Sequence, residues 1–234
     1  MKQYGYENSS NISLIGGFRY QRNNKGEILI NPNNGVPLID ANFNPIGDRN
    51  PDFLLGNVNT FKLKDFNFSF TLDVRKGGDI FNGTALYLWE NGLHPKQVDR
   101  EKTVIYKGVL RDGLENSEKP TVNNIELSPY FNGSVYYRAI APESFIEKDI
   151  NWLRLRDVRL SYTFPSSLLK KINIFRSLSV YASATDLFFI SNYSGADPNV
   201  NGLTAGVPGL NATGFDFGVM PTPVGYNFGL NIGF

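Results

Sequence analysis

From Phe66 to Arg75 apolar and polar residues alternate without a break. Phe66, Phe68, Phe70, Leu72 and Val74 share one parity, and Asn67, Ser69, Thr71, Asp73 and Arg75 share the other. A period of two puts the two sets on opposite faces of a β-strand. The pattern predicts a strand over residues 66–76, preceded by a partner over 52–63 and a tight connection at Lys64-Asp65. Alternation returns within 150–164, where Val158, Leu160, Tyr162 and Phe164 oppose Asp157, Arg159, Ser161 and Thr163. Leu153 and Leu155 have the opposite parity, which predicts a bulge near Arg156-Asp157 or a change of environment. A fourth strand is predicted over 177–190, with Leu178, Val180, Ala182 and Ala184 against Ser179, Tyr181, Ser183 and Thr185. A fifth, over 221–234, carries Tyr226, Phe228, Leu230, Ile232 and Phe234 on one face and only Asn and Gly on the other from Asn227 onward.

Residues 1–51 are rich in Asn, Gly and Pro, with turn signals at Asn33-Asn34-Gly35 and Asn44-Pro45, and short strands are predicted near 12–20 and 27–30. Residues 77–149 show little periodicity; 84–90 and 95–104 are candidates for short helices. So long a connection is uncommon in a compact domain and is usually functional or disordered. The connections thus run short, long, short, long: 64–65, 77–149, 165–176 (with room for one helical turn after Pro165) and 191–220. Outer-membrane barrels have short periplasmic turns and long extracellular loops, with an apolar face toward lipid and a polar face toward the lumen. The reading is an all-β chain: antiparallel strands from the C-terminal end of a transmembrane β-barrel, about five strands and so a partial barrel. Residues 1–51 form a loop-rich extracellular segment and 52–234 the barrel strands, with the C-terminus on the periplasmic side. A soluble β-sandwich, its apolar faces packed into a dry core, is the alternative.

Composition narrows the chemistry. With 23 Lys and Arg against 22 Asp and Glu, the net charge of +1 leaves no basic footprint for nucleic acid. The absence of cysteine excludes disulfides and thiolate metal sites. No run reaches the roughly 18 to 20 apolar residues of a membrane-spanning helix, which says little about a barrel. Residues 1–8 hold no apolar core of a secretion signal, so an exported barrel requires a longer protein of which this is the tail. His94 is the one histidine, which rules out a His-based triad or a multi-His metal site. Carboxylates are scattered through predicted loops, and no catalytic residue, metal ligand or cofactor is expected.

The candidate ligand or partner contacts are aromatics in the predicted extracellular loops: Tyr87, Trp89, Tyr193 and Phe215. Such rings can stack on a sugar or peptide, or pack the loops together or against a partner. Asp197, before Pro198, can orient a hydroxyl or start a turn. Arg154, Arg156 and Arg159 form either a cationic ladder or a set of pairs with lumenal carboxylates.

Several stretches together resemble SusC/RagA-type TonB-dependent transporters: Ile46-Gly-Asp-Arg-Asn-Pro-Asp-Phe53, Thr60-Phe-Lys-Leu-Lys-Asp-Phe-Asn-Phe-Ser-Phe70 and Gly77-Gly-Asp-Ile-Phe-Asn82. Further on come Trp152-Leu-Arg-Leu-Arg-Asp-Val-Arg-Leu-Ser-Tyr-Thr-Phe-Pro165, Leu178-Ser-Val-Tyr-Ala-Ser-Ala-Thr-Asp-Leu-Phe188 and Tyr193-Ser-Gly-Ala-Asp-Pro198. Their order over about 46–234 carries the resemblance. It implies the C-terminal part of an outer-membrane importer of glycans or peptides. The implied partners are a SusD-like lipoprotein, a TonB complex reached through an N-terminal part outside this chain, and outer-membrane lipid. It also implies a barrel-assembly machinery that reads Tyr226, Phe228, Leu230, Ile232 and Phe234. The chain departs from the family in two places. Residues 31–40 are poor in the carboxylates of a calcium loop, which argues against an ion there. Asp186 stands where the family commonly has Asn. A soluble or surface carbohydrate-binding sandwich and an outer-membrane hydrolase are the alternative functions.

Overall fold

The computed structural model describes residues 13–172, 174–199 and 213–233. The chain divides into two compact units, each assembled from three stretches. One, drawn from Pro51–Gly78, Asp149–Pro198 and Met220–Phe234, is a five-stranded antiparallel sheet. Its strands are β1 (Phe53–Leu63), β2 (Phe66–Lys76), β3 (Trp152–Thr163), β4 (Ser177–Ser191) and β5 (Gly225–Gly233), side by side in chain order. The β1–β2 hairpin turns through Lys64 at φ +50°, because the favoured two-residue hairpin turns need a positive φ at their first central residue. Between β3 and β4, Pro165 opens helix α3 (Ser166–Ile172), two turns where the sequence suggests one, anchored by the buried Leu169.

Register keeps most of the apolar residues on one face; β1 departs, with Asn57 and Asn59 on that face and Leu54 and Val58 on the other. Partners across antiparallel strands share a face, so Phe61, Phe68, Leu160, Ala182 and Phe228 form one row across all five strands. Leu63, Phe66, Tyr162, Val180 and Leu230 form the next. Aromatic pairs reinforce the rows, with Phe66 and Tyr162 ring centroids 4.6 Å apart. The rows on the opposite face are polar, for example Thr60, Ser69, Arg159, Ser183 and Asn227.

A bulge resolves the parity conflict in β3. Asp157 pairs with Thr71 but Leu155 pairs with the adjacent Leu72, leaving Arg156 as an extra residue. That one-residue slip carries Leu155 and Leu153 onto the apolar face beside Leu72 and Val74. On the other flank Thr185 pairs with Asp157 and Phe188 with Leu155, so Asp186 and Leu187 sit opposite Arg156. Asp186 has φ +52°, a left-handed conformation that Asn and Asp accept more readily than other side chains.

The other unit, drawn from Met1–Asn50, Asp79–Lys148 and Asn199–Val219, is built from pieces too short to show a period. Strand Leu14–Gly17 pairs with Asn44–Asp48, Leu29–Ile30 with Val109–Leu110, and Ile80–Asn82 with both Ile146–Glu147 and Phe215–Asp216. Helix α1 (Gly83–Glu90) is capped by the Asn82 side chain, which accepts from the Ala85 amide. Helix α2 (Gly133–Arg138) occupies a stretch whose Asn132-Gly133 signal suggests only a turn; burial of Tyr136 holds it. The helix expected over 95–104 is reduced to a 3-10 turn, Pro95–Gln97, capped by His94. Among the described residues two apolar clusters form the core. Val36, Leu127, Tyr136 and Ala139 make one, Ile15, Phe81 and Phe145 the other, and Trp89 packs against both.

Candidate functional site

The apolar face of the sheet is exposed. Leu160 at its centre is 47% exposed and Phe228 on β5 is 81% exposed. A contiguous exposed apolar surface of this kind marks contact with a membrane or another protein. On the polar face, Tyr181 covers Gly229, where any Cβ would collide with its ring, and the Arg159 guanidinium lies 4.0 Å over that ring. The phenol and the cation thereby fill the space that Gly leaves.

Above the bulge the polar face holds a buried ion-pair network. Arg154 on β3 is 3% exposed; its Nη1 donates to Asp186 Oδ1 at 3.1 Å and its Nη2 to Asp197 Oδ1 at 2.5 Å. Asp197 Oδ2 accepts from the backbone N and the Oγ1 of Thr222, each at 3.2 Å. Phe189 covers the guanidinium at 5.0 Å. One arginine thus ties β3 to β4 and to the segments on either side of residues 200–212. Of the other two arginines, Arg156 donates through Nε to Asp73 at 2.5 Å, and Arg159 stacks on Tyr181.

The predicted ligand contacts divide between the units. Asp197 and Tyr193 lie in the sheet unit, both buried. Both oxygens of Asp197 are engaged within the protein, and the Tyr193 amide donates to Ser191 Oγ at 3.0 Å. Tyr87, Trp89 and Phe215 lie in the other unit. Trp89 stacks near Tyr136, Phe145 and His94 at 5.8, 6.3 and 5.5 Å, and Phe215 packs on Phe81 at 6.0 Å. Tyr87, on the same helix, is 65% exposed. It lines a cavity of about 430 Å³ with Leu86, Glu90 and Phe217, while Thr84 ties the rim by donating to Asp216 and accepting from the Gly218 amide. Phe217 has no signal in the sequence, because a lone aromatic in a Gly-rich stretch carries no pattern. In the terminal strand, Tyr226, Phe228, Leu230 and Ile232 are exposed on β5, which forms one edge of the sheet; Phe234 lies outside the described residues.

His94 contributes a local pH response. Its Nδ1 accepts from the Lys96 amide at 3.2 Å, which only the unprotonated nitrogen can do. Partial burial, reinforced by Lys96, holds its pKa below the ordinary 6.5. A depressed pKa means the cap's contribution is present above about pH 6.5 and is lost as pH falls through the folded-state value. Hydrogen exchange at the Lys96 amide, corrected for intrinsic rate, should lose protection between pH 7 and pH 5. Constant protection would show that the imidazole does not hold the turn.

No family model matches the chain. Its sequence is similar to two proteins of Formosa agariphila: TonB-dependent receptor P3, 26% identical over 89% of this chain and 19% of the relative, and TonB-dependent receptor P26, 24% identical over 94% and 20%. The chain spans about a fifth of the length of these curated relatives. Its fold is similar to that of a chain in the structure of the RagAB peptide importer in the open-open state. That match has a TM-score of 0.59 and 17% identity, and covers 97% of this chain and 24% of the other. Sequence similarity and fold agree: the chain is similar to TonB-dependent receptors in sequence and to a chain of the RagAB importer in fold.

Proposed function

We propose that this chain supplies the last strands of the outer-membrane β-barrel of a SusC-like transporter that imports glycans or peptides, and that it has no catalytic role. The observation that carries the reading is the apolar face, kept in register over five strands by a bulge whose effect is to hold Leu153 and Leu155 on it. A lipid-facing barrel wall requires such a face, opposed by a polar lumenal one. In this reading 52–234 form part of a barrel wall and 1–51 an extracellular segment, the C-terminus is periplasmic, and the edges of β1 and β5 pair with strands outside this chain. Pairing is required because only a closed barrel satisfies every backbone group in lipid.

Partners follow from the same reading. A SusD-like lipoprotein would cover the extracellular side, a TonB complex would act through the part of the receptor outside this chain, and the barrel-assembly machinery would engage the alternating aromatics of β5. The exposed Tyr87 and Phe217, beside their cavity, are candidates to meet ligand or lipoprotein. Trp89, Phe215, Tyr193 and Asp197 would serve by holding the loops in shape.

Sidedness is testable because the chain contains no cysteine of its own. Asp65→Cys in the β1–β2 turn and Lys119→Cys in the long connection are introduced separately into the full-length protein. A membrane-impermeant maleimide should label Lys119→Cys on intact cells and Asp65→Cys only after permeabilisation. Reversed labelling would invert the sidedness; recovery of both variants in the soluble fraction would remove the barrel reading.

A further inference from the structure

A second cavity, also of about 430 Å³, lies in the unit that contains α1 and is polar. Its walls are residues 19–24 and, across from them, Arg111, Glu115 and Asn116, with Asp40 at the edge, so two carboxylates share the lining with its arginines; its floor is Tyr20 and Leu29, both 8% exposed. The walls are cross-linked. Asn23 Nδ2 donates to the Glu115 carbonyl at 2.8 Å, the Asn24 amide to Asn116 Oδ1 at 3.0 Å, and Lys25 Nζ to the Ser117 carbonyl at 2.9 Å. The cleft is therefore held open by the fold before any ligand arrives, which lowers the ordering cost of binding.

Three arginines line it, and they differ in how much hydrogen-bonding capacity the protein uses. Arg22 is occupied: it donates to both oxygens of Glu143 at 2.8 and 3.2 Å and to the Tyr20 carbonyl at 3.2 Å. Arg19 has only a 3.6 Å contact with Asp40, a carboxylate already held by Asn42 and Asn44. The Arg111 guanidinium donates once, to Gln21 Oε1 at 3.2 Å. A guanidinium has five N–H donors in a planar fork matched to a carboxylate. Arg19 and Arg111 thus leave most of their donors to whatever enters.

The lining also selects the kind of carboxylate. Sugar recognition commonly uses an exposed aromatic face, and Tyr20, the one aromatic among the described lining residues, is buried with its hydroxyl accepting from Ser144 Oγ at 3.1 Å. The Gln21 amide is spent on Ile39 and Arg111 and the Asn116 carbonyl on the Asn24 backbone, which leaves the Asn24 side-chain amide and the Asn116 NH2 at the cleft, groups suited to a peptide backbone. We infer that this cleft binds an acidic peptide, gripping a carboxylate between Arg19 and Arg111. The inference concerns binding alone and does not depend on whether the chain forms a barrel wall.

The test is calorimetric titration of the full-length protein, solubilised in detergent, with three probes: triglutamate, triglutamine with an amidated C-terminus, and tetragalacturonate. Triglutamate should bind at least tenfold more tightly than the neutral peptide. The double variant Arg19→Gln/Arg111→Gln should lose roughly tenfold to a hundredfold in triglutamate affinity, the loss of a charge-assisted contact. Its binding of the neutral peptide should not change. Arg19→Lys/Arg111→Lys, which keeps the charge without the fork, should fall between. Equal affinity for the charged and neutral peptides in the wild-type protein overturns the inference, whatever the fate of the variants. A folded double variant with unchanged triglutamate affinity also overturns it. Tighter binding of tetragalacturonate than of triglutamate would reassign the cleft to an acidic sugar.

Discussion

Asp197→Ala is expected to destabilise the protein by about 3 kcal/mol, the lower end of what removing one partner of a buried ion pair costs. The two side chains of the pair are 3% and 4% exposed, so water cannot replace the lost carboxylate. Arg154 keeps Asp186, which places the effect at the lower end. Thr222 simultaneously loses the acceptor of its amide and hydroxyl, so the segment before β5 should loosen as well. Denaturant unfolding of the full-length protein in detergent micelles measures the loss. The double replacement Arg154→Met/Asp197→Leu should recover only part of it, because Asp186 then loses its cation and the Thr222 donors stay without their acceptor. Asp99→Ala serves as the control: Asp99 pairs with Lys102 with both side chains well exposed, and exposed pairs contribute little. Equal midpoints for Asp197→Ala and Asp99→Ala would mean that the network is decorative.

The second large effect concerns the two faces of the sheet. Leu160→Arg places a cation at the middle of β3 in the apolar row with Phe68 and Ala182. Against lipid this should cost about 2–4 kcal/mol, the penalty for Arg near the midplane of a membrane barrel. Asn227→Arg lies in the adjacent polar row, where a lumenal position tolerates charge. The expected result is poor recovery of Leu160→Arg in the outer membrane and near-normal recovery of Asn227→Arg. If both variants assembled equally well, the apolar face would not be a lipid face. If Asn227→Arg alone failed, the assignment of the faces would be inverted.

These two predictions draw on information of different range. The side-chain alternation of Phe66–Val74 or Val158–Tyr162 is a local property, because each residue's face follows from its neighbour's. Strands β2, β3 and β4 were therefore visible as patterns, and the opposite parity of Leu153 and Leu155 marked the irregularity in β3. What the pattern could not supply was the form of the irregularity: one extra residue on β3 at Arg156, matched by a left-handed Asp186 across the strand pair. In the other unit, α1 left a trace in the sequence but α2 did not. Its six residues are fewer than two full helical turns, too few for a period to register.

The candidate sites were legible only as residue types. In the sequence Asp197 is only an Asp-Pro pair, and Arg154 one of three arginines. Nothing in their spacing indicates that they share a buried contact across 43 positions, or that Asp186, 32 positions from Arg154, completes it. Arg19 and Arg111 carry no sequence signal, since they are far apart in the chain and neither belongs to a motif.

By itself the sequence determined the antiparallel strands, the apolar identity of one sheet face and the resemblance to a receptor family, because period-two alternation and contiguous motifs survive in one dimension. Only the tertiary structure decided which carboxylates Arg154 holds, which aromatics retreat into the core and which arginines keep their donors free. Those outcomes depend on burial and on contacts between distant residues, and such contacts leave no periodic trace along the chain.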